Sequence, residues 1–211
     1  PLYLQAVEGA TASEAGRAIT PMVLGWPIFS AISGRVIPKL GFRLPIRVGF
    51  AGATLAATGL ALVLGKGGNG PLLAALMFLL GAGLGFANTG LILSVQTSVA
   101  WEQRGVATAS TMFFRTIGGA VAVAAVGSLL TARLSAVPGA TGEIIDAFLG
   151  PEGGNGISAG LLQGLTGALA GALQFGFWIV VAVTTLAFLV ALFFPKDPIT
   201  AARRSEVRAE A

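Results

Sequence analysis

The chain has 211 residues, 55% of them hydrophobic and only 10% charged, with a formal net charge of +4 and a mean hydropathy of +0.84. Soluble domains carry about 25% charged residues, so this composition excludes an ordinary water-soluble domain. It contains no cysteine and no histidine, which removes disulfides, thiolate or imidazole metal sites, cysteine nucleophiles and histidine bases.

The charges are unevenly spread. Residues 67–101 and 153–195 contain no Asp, Glu, Lys or Arg, and each stretch exceeds the ~20 residues needed to cross a bilayer core. An all-α membrane protein follows: a polytopic transmembrane helix bundle without catalytic residues, cofactor or metal. The bilayer is its first partner, and nucleic acid is not one, because the cations flank apolar spans. The first residue is Pro1, not Met, and no signal peptide is visible, so the chain reads as a piece of something longer.

Residues 1–14 read as the end of a preceding helix ("PLYLQAV") and a polar outer connector ("EGATASE"). Four transmembrane helices are expected within residues 15–132. The first covers about Ala15 to Ile37 and is interrupted by Pro21 and Pro27, which membrane helices tolerate where neighbours satisfy the freed groups. The second runs from about Pro45 to Gly65, before the breaker cluster "KGGNGP". The third covers about Leu72 to Val99. The fourth, about Gly105 to Ala132, holds Arg115.

Residues 133–174 read as an outer loop with a short helix at Glu143 to Leu149, then a Gly- and Ala-rich amphipathic segment that is an outer extension before the last span, placed at the interface. Residues 175–194 form the last span and residues 195–211 a cytoplasmic tail. Two short spans turning near Gly171 are the alternative. The positive-inside rule sets the orientation. With five spans, Arg35, Lys39, Arg43, Arg47, Arg104, Lys196, Arg203, Arg204 and Arg208 share one side, against Arg17, Lys66 and Arg133 on the other. The C-terminus is therefore expected in the cytoplasm and the protein in the plasma (inner) membrane.

Three motifs add to this reading. Gly34-Arg35-x-x-Pro38-Lys39-x-Gly41-x-Arg43 resembles the cytoplasmic-loop signature of the major facilitator superfamily, roughly G-x-x-x-D-R-x-G-R-R. Gly34, Lys39 and Gly41 match in place, whereas Pro38 stands where that family has an aspartate that caps a neighbouring helix. A plain positive-inside turn accounts for the same cations. "PLYLQ", Ala15-Gly16 and Pro21 with Leu24-Gly25 resemble a stretch of the fourteen-span drug:proton antiporter branch. Glu102-Gln103-Arg104-Gly105, followed by Phe114-Arg115-x-x-Gly118-Gly119-Ala120, is similar to that branch's "E-x-R-G-x-A … R-x-x-G-G-A" loop and helix.

The resemblance implies the C-terminal part of a major-facilitator-type fold, in a secondary transporter that exports lipophilic or amphipathic small molecules by proton antiport. Its partners would be the substrate, protons and the missing N-terminal spans of the same chain. Those spans would also supply the carboxylates for proton coupling, since none of the five proposed cores contains Asp or Glu. A metabolite uptake permease of the same fold, or a non-transporting five-span scaffold or subunit, are the alternatives.

Candidate substrate-cavity residues are Arg115, Asn88, Trp26 and Phe114; candidate cytoplasmic gating-loop residues are Gly34, Arg35, Lys39, Gly41 and Arg43. Arg115 lies about three helical turns past Arg104, or ~16 Å along a helix axis. At that depth an arginine must face protein or water. It either lines the substrate or proton path, or orders the bundle by pairing with carbonyls or a carboxylate. Asn88 follows Gly81-x-x-x-Gly85, a pair that permits close helix packing; it either bonds across helices or lines the cavity. Trp26, Phe86, Met112, Phe113 and Phe114 could form an apolar pocket or pack against neighbours and lipid. Gln174 and Trp178 fit an interfacial belt.

Overall fold

A computed structural model describes residues 11–63, 70–150 and 156–195. The "PLYLQ" segment, most of "KGGNGP" and the C-terminal cations beyond Pro195 lie outside the described residues. The described elements are helical: α1 (Ala12–Leu40), α2 (Arg43–Val63), α3 (Gly70–Thr97), a 3₁₀ turn (Trp101–Gln103), α4 (Arg104–Ser135), α5 (Gly142–Leu149) and α6 (Ala159–Leu192).

Local chemistry sets the ends. Thr11 is the N-cap of α1, and its hydroxyl accepts from the Glu14 N–H while the Glu14 carboxylate accepts from the Thr11 N–H. This reciprocal box satisfies two first-turn donors, so α1 starts at Ala12, slightly before the expected Ala15. Helix α1 runs through Pro21, Pro27 and Pro38 and stops at Gly41, whose φ of 77° is a left-handed conformation that favours glycine. Pro45 and Pro71 sit in the first turns of α2 and α3, where the missing N–H costs nothing.

Direction alternates. Gly85 lies against Trp26 and Gly81 against Met22, so α1 and α3 run parallel. Gly83 meets Gly49 and Ala53 of α2, whereas Gly90 meets Ile46, so α2 runs the opposite way. These glycines bring backbones together: a Cβ added at Gly83 would lie 2.6 Å from the Gly49 carbonyl oxygen. Two hydroxyls stitch the α1–α3 seam, Ser33 Oγ donating to the Phe86 carbonyl at 2.9 Å and Ser30 Oγ to that of Gly85 at 3.2 Å. An apolar cluster of Ala53, Ala56, Ala57, Leu60 and Leu80 fills the α2–α3 contact and reaches Phe177 and Val181 of α6.

Four helical segments, Arg43–Val63, Gly70–Thr97, Trp101–Ser135 and Ala159–Leu192, are long and apolar enough to cross a membrane. The 29 residues of α1 reach ~44 Å, yet its charges, prolines and hydroxyls keep it outside that group. The expected first span thus differs from its neighbours: polar seams and glycine contacts hold it.

The expected break before Phe175 is absent. Residues 159–192 form one helix of 34 residues, so the segment 159–174 continues the last span instead of lying as a separate piece, and no turn occurs near Gly171. The reason is packing: Leu165 and Leu169 of α6 are buried with Leu134 of α4 and with Ile145 and Phe148 of α5. The short helix expected at Glu143 to Leu149 is α5, and its two buried residues form a cap over the α4–α6 end.

Candidate functional site

Helix α3 is the floor of the candidate site. Helix α1 packs closely along α3, whereas α4 touches α3 only lightly and α1 hardly at all, so α1 and α4 stand apart on either side of a cleft. Only Leu134 is buried along α4, at its far end. The middle of this helix is open, with Phe113 and Phe114 59% and 72% exposed.

Arg115 spans the cleft. Its guanidinium carbon lies 5.7 Å from the centre of the Trp26 ring on α1. The two residues are far apart in the chain and meet at matching depth. Counted from Arg104 at the start of α4 and from Leu40 at the end of α1, both lie ~16–21 Å from that shared end. A cation over an indole face is an attractive contact. It gives Arg115 an aromatic partner, where the sequence pointed only to carbonyls or a carboxylate.

The other cavity candidates divide. Asn88 is half-buried on α3, two turns past Gly81 and thus within ~20° of the stripe that faces α1. Phe114 forms an edge-to-face pair with Phe113 at 5.7 Å, at the open side of α4. Phe86 is buried against Phe29 at 6.1 Å and is a packing residue of the α1–α3 seam. Thus Arg115 and Trp26 come together, Asn88 shares the floor helix, and Phe114 adjoins Arg115 in the chain.

The basic end differs from the expected loop. Gly34, Arg35 and Lys39 lie within α1, and Arg43 opens α2, so only Gly41 and Phe42 remain as the connection. Helix α1 continues through Pro38 as it does through Pro21 and Pro27, each proline removing one N–H and crowding the carbonyl one turn earlier. The Arg35 guanidinium turns back to the Ala31 carbonyl at 3.4 Å.

Arg43, a gating-loop candidate, acts together with Arg47, which the sequence motifs do not single out. Arg43 Nε donates to the Phe194 carbonyl at 2.8 Å, and Arg47 Nε to that of Ala191 at 3.1 Å. A further Arg47 N–H donates to the Leu192 carbonyl. Carbonyls in the last turn of a helix lack intrahelical partners and carry partial negative charge, so two cations spaced i, i+4 on α2 clamp the end of α6. Beneath them Ile37, Phe42, Ile46 and Ala191 are buried together. The signal available was the Arg43-x-x-x-Arg47 spacing, which puts both side chains on one face of a helix. Their acceptors are backbone atoms, which leave no mark in a sequence.

Comparison with known proteins agrees with this architecture. A family model described as Major Facilitator Superfamily matches residues 1–123. The Multidrug transporter protein MdtP of Bacillus subtilis is 35% identical over 133 residues, covering 63% of this chain and 24% of that protein. An uncharacterized MFS-type transporter of Mycobacterium tuberculosis is 31% identical over 204 residues, covering 95% of this chain and 30% of its own. Among solved structures, the E. coli fucose:proton symporter FucP superposes with a TM-score of 0.67 at 21% identity, over 93% of this chain and 44% of that one. This chain thus spans about a quarter to a third of the length of those two curated relatives.

Proposed function

Since this chain belongs to the Major Facilitator Superfamily, we propose that it is the C-terminal part of a secondary active transporter that exports lipophilic or amphipathic compounds by proton antiport. Alternating access would come from rocking of this part against the N-terminal spans around a midplane site. The observation that carries the reading is the cleft between α1 and α4, bridged at mid-depth by Arg115 and Trp26. A groove open along α4 and floored by α3 has the form of one half of a central cavity, and its other wall would come from the N-terminal spans. A drug-like cargo is supported by the Bacillus relative, a multidrug transporter; export and membership in the fourteen-span drug:proton branch rest on the sequence motifs.

In this reading α1 is a span, the end bearing Arg35, Lys39, Arg43 and Arg104 is cytoplasmic, and the C-terminus follows it there. The membrane is the plasma (inner) membrane. Arg43 and Arg47 hold α6 to α2, so that α1, α2, α3 and α6 move as one body. Arg35 and Lys39 belong to the surface of that end that meets the N-terminal spans in one state. Protons would be carried by carboxylates outside this chain, because α2, α3, α4 and α6 contain no Asp or Glu. The test is transport by the full-length protein in proteoliposomes under an imposed pH gradient, with a fluorescent lipophilic dye as cargo. Dye movement that follows the sign of the gradient is expected; movement independent of it would refute antiport.

A further inference from the structure

The proposed transport reading leaves the chemical class of the cargo open, and the charge inventory of the cleft narrows it. Among the described residues, Arg115 is the one charged side chain at mid-depth. The other cations and Glu14 sit near helix ends, Glu102 lies in the 3₁₀ turn, Glu143 and Asp146 lie in α5, and α3 and α6 carry no charge at all. A guanidinium at this depth costs a few kcal/mol or more unless it is solvated or paired. The indole face of Trp26 at 5.7 Å offsets part of that cost but offers no acceptor oxygen. Guanidinium carries five N–H donors in a planar fork, and a carboxylate matches that fork with two parallel bonds.

The surroundings of Arg115 are apolar. Met112, Phe113 and Phe114 precede it in α4 and are 39%, 59% and 72% exposed. Helix α4 places Thr111 and Gly119 one turn to either side on its face, and a Cβ added at Gly118 or Gly119 would meet nothing within 4 Å. There is room beside the cation and, among the described residues, no wall of opposite charge.

Resting on the cavity reading above, we propose that the Arg115–Trp26 pair is a recognition site for an amphipathic carboxylate. Its anionic head is held by the guanidinium fork, and its apolar body lies along Trp26 and the α4 aromatics. Trp26 keeps the guanidinium in place when no cargo is bound, so that the fork is presented and not folded back on its own helix. A side-chain carboxylate delivered by the N-terminal spans is the competing partner for Arg115, and the experiment separates the two.

The probes are a dansylated long-chain fatty acid and its uncharged methyl ester, titrated into the purified full-length transporter in detergent, with binding read by dansyl fluorescence. The native protein should bind the acid more tightly than the ester. Arg115→Gln should weaken the acid about tenfold or more, the scale of one lost charge-assisted pair, and leave the ester within about threefold. Arg115→Lys should fall between, since it keeps the charge and loses the fork.

Equal affinity for acid and ester in the native protein would overturn the proposal, as would a loss of both probes in a folded Arg115→Gln variant. The latter is the result expected if Arg115 pairs with an internal carboxylate. If the native protein bound neither probe at any concentration, the site proposal would fall, whereas gradient-driven dye transport would still stand on its own test. Thermal unfolding of each variant distinguishes misfolding from loss of the site, and Arg115→Lys, which retains the cation, gives the comparison if Arg115→Gln does not fold.

Discussion

Arg115 shows how far a single residue can be read before its neighbours are known. Its depth follows from about three turns of helix after Arg104, and its cost in lipid demands a protein or water environment. That it meets Trp26 was not legible. The two are distant in the chain, and only the tertiary arrangement of α1 and α4 brings them to 5.7 Å. Asn88 is the converse case: its half-burial and stripe follow from Gly81 and Gly85, but the glycine pattern does not say which helix the stripe faces.

At the same scale, the α1 N-terminus, just outside the expected span, makes a pH prediction. The backbone N–H and the hydroxyl of Thr11 hold the Glu14 carboxyl below its usual range, outweighing desolvation, which opposes them, and Arg17 nearby adds the smallest contribution. A folded-state pKa below the unfolded one stabilises above the unfolded value, about 4.3, and that gain fades as pH falls through the folded value. The protection factor of the first-turn amides should therefore fall below about pH 4, while that of Glu14→Gln should be pH-independent there. A protection factor unchanged from neutral pH to about pH 3 would contradict the cap.

Elements are where sequence and structure part most clearly. A reading by hydropathy and bilayer thickness ends the last span after ~20 residues and assigns the preceding segment to the surface. Helix α6 instead continues because its N-terminal half has its own apolar partners, Leu134, Ile145 and Phe148. Bilayer thickness limits what lies in lipid; it does not limit helix length. The cationic segment likewise reads as a loop from its sequence, yet α1 runs on to Leu40 and the connection is only Gly41 and Phe42. Pro38 does not stop the helix there, just as Pro21 and Pro27 do not stop it earlier; a proline costs a helix one hydrogen bond and a crowded carbonyl without having to end it.

One substitution tests the α1–α3 seam, a second on α4 is its control, and a third tests the clamp. A Cβ at Gly85 would collide with the Trp26 backbone, so Gly85→Val should destabilise by about 1–3 kcal/mol or more through overpacking. Gly118→Ala, in open space, should be neutral or stabilising by about 0.5–1 kcal/mol. Thermal unfolding in detergent compares them, and equal midpoints would refute the tight α1–α3 seam. Arg47→Ala removes two bonds to the end of α6 and should cost about 1.5–3 kcal/mol, the range for hydrogen bonds from charged groups. It should also raise protease access at the α6 C-terminus; unchanged stability and proteolysis would mean that the clamp is dispensable.

For the whole molecule, composition, the charge-free stretches and three motifs carried the class, the family and the alternation of helices, because a bilayer imposes long apolar segments that any sequence must show. The arrangement of those helices around a cleft was not legible, since it depends on which small residues meet. The central claim is that the groove between α1 and α4 is a water-filled half-cavity, whereas the outer side of α6 faces lipid. This chain contains no cysteine, so single cysteines report cleanly once any others in the full-length protein are replaced. Gly119 lies one turn from Arg115 with open space around it, and Leu186 on α6 is 62% exposed. The most direct measurement is labelling of Gly119→Cys and Leu186→Cys by a membrane-impermeant maleimide applied to both sides of the membrane. Rapid labelling at position 119 that cargo slows, with none at 186, is the expected result. No labelling at 119, or equal labelling at both, would contradict a cavity there.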